Sequence, residues 1–239
     1  MLDALSTNAS LRLRMGVMPW QANTEPQQLV EQAHVACGLA RGNFTEPLVG
    51  FDDRLRRREA LEQRLLSELQ RAMNDRELEV WYQPKYNIQS DPPKLMSAEA
   101  LVRWRHPELG MIGPGEFIPL LERNGQIGTV DKYVWAEAAR QLAEWKKQYG
   151  IEMPVSVNLS RVDIFDPTLE STLELILENS GLSHSDLKLE ITESACTENT
   201  EQVLNVIKWL RNKGFEVEMD DFGAGYSSLA MLSSMPSTC

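Results

Sequence analysis

The chain has 239 residues and a formal net charge of −11, with 24 Lys and Arg against 35 Asp and Glu. This acidic balance argues against a protein that binds nucleic-acid polymers through bulk positive charge. The sequence has no apolar run near the roughly 20 residues that a membrane span needs, and its N-terminus lacks a signal-peptide pattern. The three cysteines, Cys37, Cys196 and Cys239, lie far apart without metal-type spacing, so we expect a cytoplasmic protein.

The start of the chain predicts little regular structure. Leu11–Met15 alternates and predicts a strand that Gly16–Pro19 ends, and Thr24–Gln27 has the spacing of a capping box that opens a helix. That helix is predicted to stop at Gly42. Because one strand and one helix cannot bury a core, residues 1–50 are interpreted as the tail of a domain.

A charged amphipathic helix follows, over Phe51–Asp75. Its leucines recur mostly at helical spacing, with arginines and glutamates around them. The arginines at 56–58 could form a basic patch, but such a run is more often a solvated face. We therefore assign residues 51–76 to a linker helix.

Strand and helix patterns alternate from Glu77 onwards. The predicted strands are Leu78–Tyr82, Lys94–Trp104, Val155–Leu159, Leu187–Thr192 and Phe215–Met219. The predicted helices are Glu116–Asn124, Thr129–Tyr149, a segment opened by Asp166–Pro167, and Thr200–Asn212. This alternation predicts an α/β fold with right-handed βαβ units and a parallel sheet.

Oxygen-bearing side chains recur on these predicted strands. Glu99 lies in an otherwise apolar strand, and Asn158, Glu190 and Asp220 follow at intervals of about one βα unit. In an α/β barrel the carboxyl ends of the strands face one mouth, so we expect these side chains to converge. With the adjacent Asp221 they would suit Mg²⁺ or Mn²⁺. Taken alone, the two aspartates could also form a solvated acidic turn.

No histidine or cysteine joins this predicted site. His106 precedes Pro107 in a turn, and His184 lies in a loop. We expect both histidines to be structural.

Five motifs, in this order, resemble the EAL domain, which hydrolyses cyclic di-GMP. They are Tyr82–Pro84, Glu99–Pro107, Val157–Ser160, Leu189–Glu193 and Asp220–Leu229. The resemblance covers roughly residues 77–236 and implies a TIM-like (β/α) barrel, so residues 77–239 are assigned to an EAL domain. Leu11–Arg41 resembles the last strand and helix of a GGDEF domain. Its Ala33–Ala36 departs from that family's motif and the signature loop is absent, so we expect no cyclase activity.

The resemblance also implies a role for each metal ligand. Glu99, Asn158, Glu190 and Asp220 would bind one divalent cation, Mg²⁺ or Mn²⁺. Asp220 would bridge to a second cation, which Asp221 helps to hold. The cations would neutralise the phosphodiester and activate the attacking water, and the product would be linear pGpG.

Three further residues gain roles from the same resemblance. Arg103 would contact a phosphate of cyclic di-GMP, and Gln83 would also bind the substrate. Glu193 would act with the catalytic residues Glu99, Asp220 and Asp221 by bracing the loop at 223–228. In the family this loop couples dimerisation to metal binding, so the resemblance implies a homodimer.

The family pattern continues beyond the point where this chain ends. EAL domains go on into a strand with a Lys-Ile-Asp motif, and later strands supply a further metal-binding Glu and a Gln. From their absence we expect an incomplete barrel, an open edge on the Phe215–Met219 strand, and little turnover. Two alternatives stay open: a non-catalytic module that binds cyclic di-GMP or docks a protein, and a different metal-dependent barrel enzyme acting on a small phosphorylated or carboxylated substrate.

Overall fold

The structure is a computed structural model that describes residues 13–20, 22, 24–42, 47–192 and 200–220. Its contacts divide the chain into two compact units, Met1–Ser67 and Glu68–Cys239. The division falls inside helix α2 (Asp53–Asn74), which lies within the helix predicted from the sequence at Phe51–Asp75. No helix among the described residues is long and apolar enough to cross a membrane.

The first unit contains a small parallel pair of strands joined through a helix. Its elements are β1 (Met15–Val17), α1 (Pro26–Gly42) and β2 (Leu48–Gly50). The ladder continues past β1, because the Phe51 N–H donates to the carbonyl of Val17 at 2.7 Å. The sequence predicted α1 but missed β2, whose three residues are too short to form a recognisable pattern.

The position of β1 is set by close packing against α1. A Cβ built on Gly16 would lie 1.9 Å from the Ala33 carbonyl oxygen, so only glycine lets the strand approach the helix this closely. The sequence placed the strand at Leu11–Met15 and ended it at Gly16. That prediction is wrong for the described part of this segment, because the strand runs from Met15 to Val17 through the glycine. Leu11 itself lies outside the described residues.

The second unit is a mixed α/β structure, which confirms the predicted fold class. Its strands are β3 (Leu78–Asn87), β4 (Lys94–His106), β5 (Gly110–Ile112), β6 (Val155–Asn158), β7 (Leu187–Thr192) and β8 (Val217–Asp220). Its helices, after the end of α2, are α3 (Pro114–Arg123), α4 (Ile127–Tyr149), the single turn α5 (Arg161–Ile164), α6 (Leu169–Ser180) and α7 (Thr200–Lys213). Gly150 and Gly181, both left-handed, end α4 and α6.

The sheet has the strand order β3-β4-β6-β7-β8, with β5 paired to β4. Strands β4, β6, β7 and β8 are parallel, as the alternating pattern predicted. Strands β3 and β5 run antiparallel to β4. The sequence predicted five strands in this region and missed β5, which has three residues. It also missed α5, which has four.

Alternation along the strands gives this sheet two different faces. The apolar face is buried and includes Ala98, Ala100, Trp104, Val155, Val157, Leu187, Leu189 and Ile191. By register, the polar face carries Gln83, Lys85, Glu99, Ser156, Asn158, Lys188, Glu190, Glu218 and Asp220. Helix α4 lies beside β6, where the Trp135 indole N–H donates to the Asn158 carbonyl at 2.9 Å.

The polar face is concave. Lys85 on β3 and Glu218 on β8 are separated by four strand spacings, which in a flat sheet would span about 19 Å. The Lys85 Nζ nevertheless lies 3.4 Å from Glu218 Oε2. The sheet must therefore curve strongly, and Lys85 reaches across its interior.

Candidate metal centre

Three carboxylates meet on the concave face of the sheet. One carboxylate oxygen from each of Glu99, Glu190 and Asp220 lies within 4.8 Å of the other two. They come from three different strands, β4, β7 and β8. The convergence expected from the sequence is therefore present for these three residues.

Strand register aligns the oxygen-bearing side chains. Asn158 at the end of β6 pairs with Glu190 on β7, and Asp220 at the end of β8 pairs with Thr192. Glu99 pairs with Gln83 on β3. Because paired residues in neighbouring strands point to the same face, these side chains project into the concave side of the sheet.

The Asn158 side chain adds a fourth oxygen-bearing group to the three carboxylates. It lies next to the Glu99 carboxylate and favours the ionised form of Glu99. Burial, followed by the nearby charge of Glu190, raises the pKa of Glu99 above its ordinary value, although Lys85 and Asn158 oppose the shift. A bound cation would stabilise the ionised form of a carboxylate crowded in this way.

Lys85 is a participant that the sequence reasoning missed. Its Nζ donates to Glu190 Oε1 and lies 3.3 Å from the Ser156 hydroxyl and 3.4 Å from Glu218 Oε2. Burial alone would lower the pKa of Lys85, but the hydrogen bond to Glu190 and the charges of the surrounding glutamates raise it above its usual value. One signal was available, because Lys85 follows Gln83 by two residues and must share its face.

A second ion-pair group lies next to the cluster on the same face. Lys188 on β7 donates to Glu218 at 2.9 Å and lies 2.9 Å from Glu216. Glu218 is therefore shared by Lys188 and Lys85. Among the contacts of the described residues, Lys188 has none with Glu99, Glu190 or Asp220.

The predicted substrate-binding residues lie on the same face as the cluster. Gln83 is exposed and sits opposite Glu99. Arg103 lies four residues beyond Glu99 on β4, about 13 Å along the strand, and is half-buried. Its guanidinium donates to the carbonyl of Val102 at 3.0 Å.

Two residues of the predicted site, Glu193 and Asp221, lie outside the described residues, as does the loop at 223–228. The predicted role of Asp221 in holding a second cation stays a prediction.

The structure gives both histidines structural contacts. His106 is buried, its Nε2 lies 2.9 Å from Glu68, and its Nδ1 accepts from the backbone N–H groups of Glu108 and Leu109. His184 Nε2 lies 3.2 Å from Glu174 on α6. Neither ring contacts the carboxylate cluster among the described residues, in agreement with the sequence prediction.

The donor set of the cluster fits a hard divalent cation. Three carboxylates and one amide supply only oxygen ligands, and Mg²⁺ and Mn²⁺ prefer oxygen. Lys85 compensates one of the three negative charges, which leaves about two for a bound ion when all the groups are ionised. The residues present thus fit the expected metal.

Comparison with known proteins identifies the second unit. A family model described as the EAL domain matches residues 66–238. The chain belongs to the EAL domain family. Among its relatives is the cyclic di-GMP phosphodiesterase PdeR of Escherichia coli K12, with 37% identity over 70% of this chain and 25% of PdeR. Another is the cyclic di-GMP phosphodiesterase NbdA of Pseudomonas aeruginosa, with 36% identity over 84% of this chain and 25% of NbdA.

Solved EAL domain structures have the same fold. The c-di-GMP complex of the PaMucR phosphodiesterase matches with a TM-score of 0.67 and 35% identity, over 73% of this chain and 70% of that chain. The FimX EAL domain of Xanthomonas citri, in complex with c-diGMP, matches with a TM-score of 0.65 and 23% identity over 75% and 69% of the two chains. EAL domains have a TIM-like barrel fold, so the sheet of this chain belongs to that architecture. The chain spans about a quarter of the length of the curated relatives it matches.

Proposed function

We propose that this EAL domain hydrolyses cyclic di-GMP to linear pGpG with the help of Mg²⁺ or Mn²⁺. The observation that carries the proposal is the meeting of Glu99, Glu190 and Asp220 within 4.8 Å on the concave face. Support also comes from family membership and from two relatives whose names state cyclic di-GMP phosphodiesterase activity. A bound divalent cation would supply neutralisation of the phosphodiester charge and activation of water.

The metal ligands in this proposal are Glu99, Asn158, Glu190 and Asp220. Asn158 would help to hold Glu99 in place, because its side chain interacts with the Glu99 carboxylate, and Glu190 is fixed because it is almost fully buried. Asp220, with help from Asp221, would also hold a second cation. Its support is the adjacency of the two aspartates at the end of β8 and the family motif.

The substrate would bind above the cluster on the same face of the sheet. Arg103 would pair with a phosphate of cyclic di-GMP, because a guanidinium suits phosphate oxygens. Gln83, exposed and opposite Glu99, would donate or accept a hydrogen bond next to the reacting group. The roles of Arg103 and Gln83 are supported by their position on the same face of the sheet as the cluster and by the hydrogen-bonding capacity of their side chains.

Further elements of the proposal rest on the motifs. Glu193 would brace the loop at 223–228 and link the site to a homodimer, which light scattering of the purified chain can test. Residues 1–50 would be the remnant of a GGDEF-like domain, 51–76 the linker helix, and 77–239 the EAL domain. The separated cysteines support a cytoplasmic location.

The proposal is tested by measuring the conversion of cyclic di-GMP to pGpG by this chain with Mn²⁺ or Mg²⁺, with the protein in excess over substrate so that even the low turnover expected from the sequence is detected. Glu99→Gln keeps the shape of the side chain but removes the charge. We expect it to lower turnover about a hundredfold or more, because it removes several kcal/mol of metal-assisted stabilisation. Glu144→Gln, at an exposed glutamate on α4, is the matched control and should keep wild-type turnover.

Two outcomes would contradict the proposal. One is conversion that survives Glu99→Gln unchanged. The other is wild-type protein that binds cyclic di-GMP in calorimetry without converting it, which would instead favour a binding module.

A further inference from the structure

Lys85 occupies an unusual place in the candidate metal centre. It comes from β3, yet its ammonium donates to Glu190 on β7, three strands away in the sheet. Glu190 is 2% exposed, so its carboxylate is removed from water and needs a partner. Among the described residues, Lys85 is the cation that contacts the Glu99–Glu190–Asp220 cluster.

Lys85 also has a second set of partners within reach. Its Nζ lies 3.3 Å from the Ser156 hydroxyl and 3.4 Å from Glu218 Oε2, in addition to the interaction with Glu190. Small rotations of the lysine side chain would therefore exchange Glu190 for Glu218 without leaving the ammonium unpaired. The geometry offers the ammonium two alternative positions.

We infer that Lys85 is an internal cation that neutralises Glu190 in the metal-free protein and competes with the divalent metal for this carboxylate. When the metal takes Glu190, the ammonium passes to Glu218 and Ser156. The inference rests on the proposed metal site, and it makes Lys85 a positioning residue. Its consequence is that the chain weakens its own metal affinity and stabilises its metal-free state.

The test compares Mn²⁺ binding by calorimetry in three variants of the 239-residue chain. Lys85→Met removes the charge and keeps most of the length. We expect it to bind Mn²⁺ roughly tenfold or more tightly, because a unit charge a few Å from the ion is lost in a partly buried site. Lys85→Arg keeps the charge and should stay within a few-fold of wild type. Lys132→Met removes a lysine that contacts Asp166 and, among the described residues, has no contact with the cluster or with Glu218, and should change the affinity little.

A second readout is thermal unfolding with EDTA and with Mn²⁺. Lys85→Met should unfold at a lower temperature than wild type in EDTA, because Glu190 stays buried without a partner. Added Mn²⁺ should raise the unfolding temperature of Lys85→Met by more than it raises that of wild type.

The outcomes separate this inference from the proposed function. If wild type binds Mn²⁺ and Lys85→Met binds it equally or more weakly, the inference is overturned and the metal site stands. If Lys85→Met does not fold in EDTA but folds with Mn²⁺, the inference is supported. If neither wild type nor any variant binds Mn²⁺, the proposed metal site fails and this inference fails with it.

Discussion

Two groups of carboxylates in the EAL unit differ in their burial and in their charged partners. Glu99, Glu190 and Asp220 lie on a concave polar face, with the ammonium of Lys85 among them. Asp131 on α4 and Asp163 on α5 form a pair that is 8% and 1% exposed. The first group is paired with one cation, the Lys85 ammonium, and its carboxylate oxygens would suit a second, divalent cation. The second group is buried, and among the described residues no lysine or arginine contacts it.

Within the Asp131–Asp163 pair, Asp163 is held by hydrogen bonds from Ser160. The Ser160 hydroxyl and backbone N–H both donate to Asp163 Oδ2, at 2.5 and 2.9 Å, in the capping box that opens α5. Asp131 Oδ2 and Asp163 Oδ1 have no hydrogen-bond partner among the described residues. A Cβ on Gly128 would lie 3.0 Å from Asp163 Oδ1, so a larger residue at this position would require the carboxylate to shift.

The difference shows two solutions to one electrostatic problem. Carboxylates crowded together can be neutralised by a cation or by a proton. Burial, followed by the charge of Asp163, raises the pKa of Asp131 well above its ordinary value. Burial therefore favours the protonated form of Asp131, whereas the Glu99 cluster has oxygen atoms that suit a metal and the Lys85 ammonium beside them.

The largest effect on stability is expected when the charge of Asp131 is removed. A carboxyl whose pKa is raised by folding stabilises the protein at low pH, and that stability is lost as pH rises above its unfolded pKa near 3.8. Asp131→Asn is neutral at every pH. We expect it to raise the free energy of unfolding by about 1 to 2 kcal/mol at pH 7, with a difference that shrinks towards pH 4.

Urea unfolding at both pH values measures this effect, and cyclic di-GMP turnover serves as the control that should not change. A variant that is less stable at pH 7, or a difference independent of pH, would show that Asp131 does not retain a proton.

A smaller effect is expected at Asp166, a carboxylate with a lysine partner and no crowding. Lys132 Nζ donates to Asp166 at 2.6 Å, and Thr168 donates through both its hydroxyl and its N–H. These bonds, led by that of Lys132, lower the pKa of Asp166 to about 2. The resulting stability is present above the unfolded pKa of about 3.8 and is lost as pH falls towards 2.

Because the pair is partly exposed, solvent screening limits its effect. We expect Asp166→Asn to lower the free energy of unfolding by about 0.5 kcal/mol at pH 7 and by less at pH 3. Lys132→Met should cause a similar loss at pH 7. If Asp166→Asn were instead as stable as wild type at pH 7 and less stable at pH 3, folding would not lower the pKa of Asp166.

The sequence predicted much of this structure because its signals are local. Leu187–Thr192 was predicted with the bounds that the structure has, since six residues of alternating strand pattern end at recognisable turns. The convergence of Glu99, Glu190 and Asp220 followed from the rule that parallel strands present their carboxyl ends at one edge. The motifs also identified the EAL family correctly.

The missed features depend on distance across the fold. Lys85 reaches Glu190 only because the sheet curves, and 105 residues separate the two in sequence. Asp131 occupies a helix in which a charged residue would ordinarily face solvent, and its burial follows from the packing of the four-residue helix α5. Neither curvature nor the position of so short a helix is encoded in a local pattern.

The central claim is that the Glu99–Glu190–Asp220 cluster binds the metal and that Lys85 gives way to it. Anomalous diffraction from crystals of this chain soaked in Mn²⁺ tests it most directly. We expect a peak about 2.1 Å from a carboxylate oxygen of each of the three residues, with Lys85 Nζ moved to Glu218. Absence of a peak at the cluster, or a peak with Lys85 still bonded to Glu190, would contradict the claim.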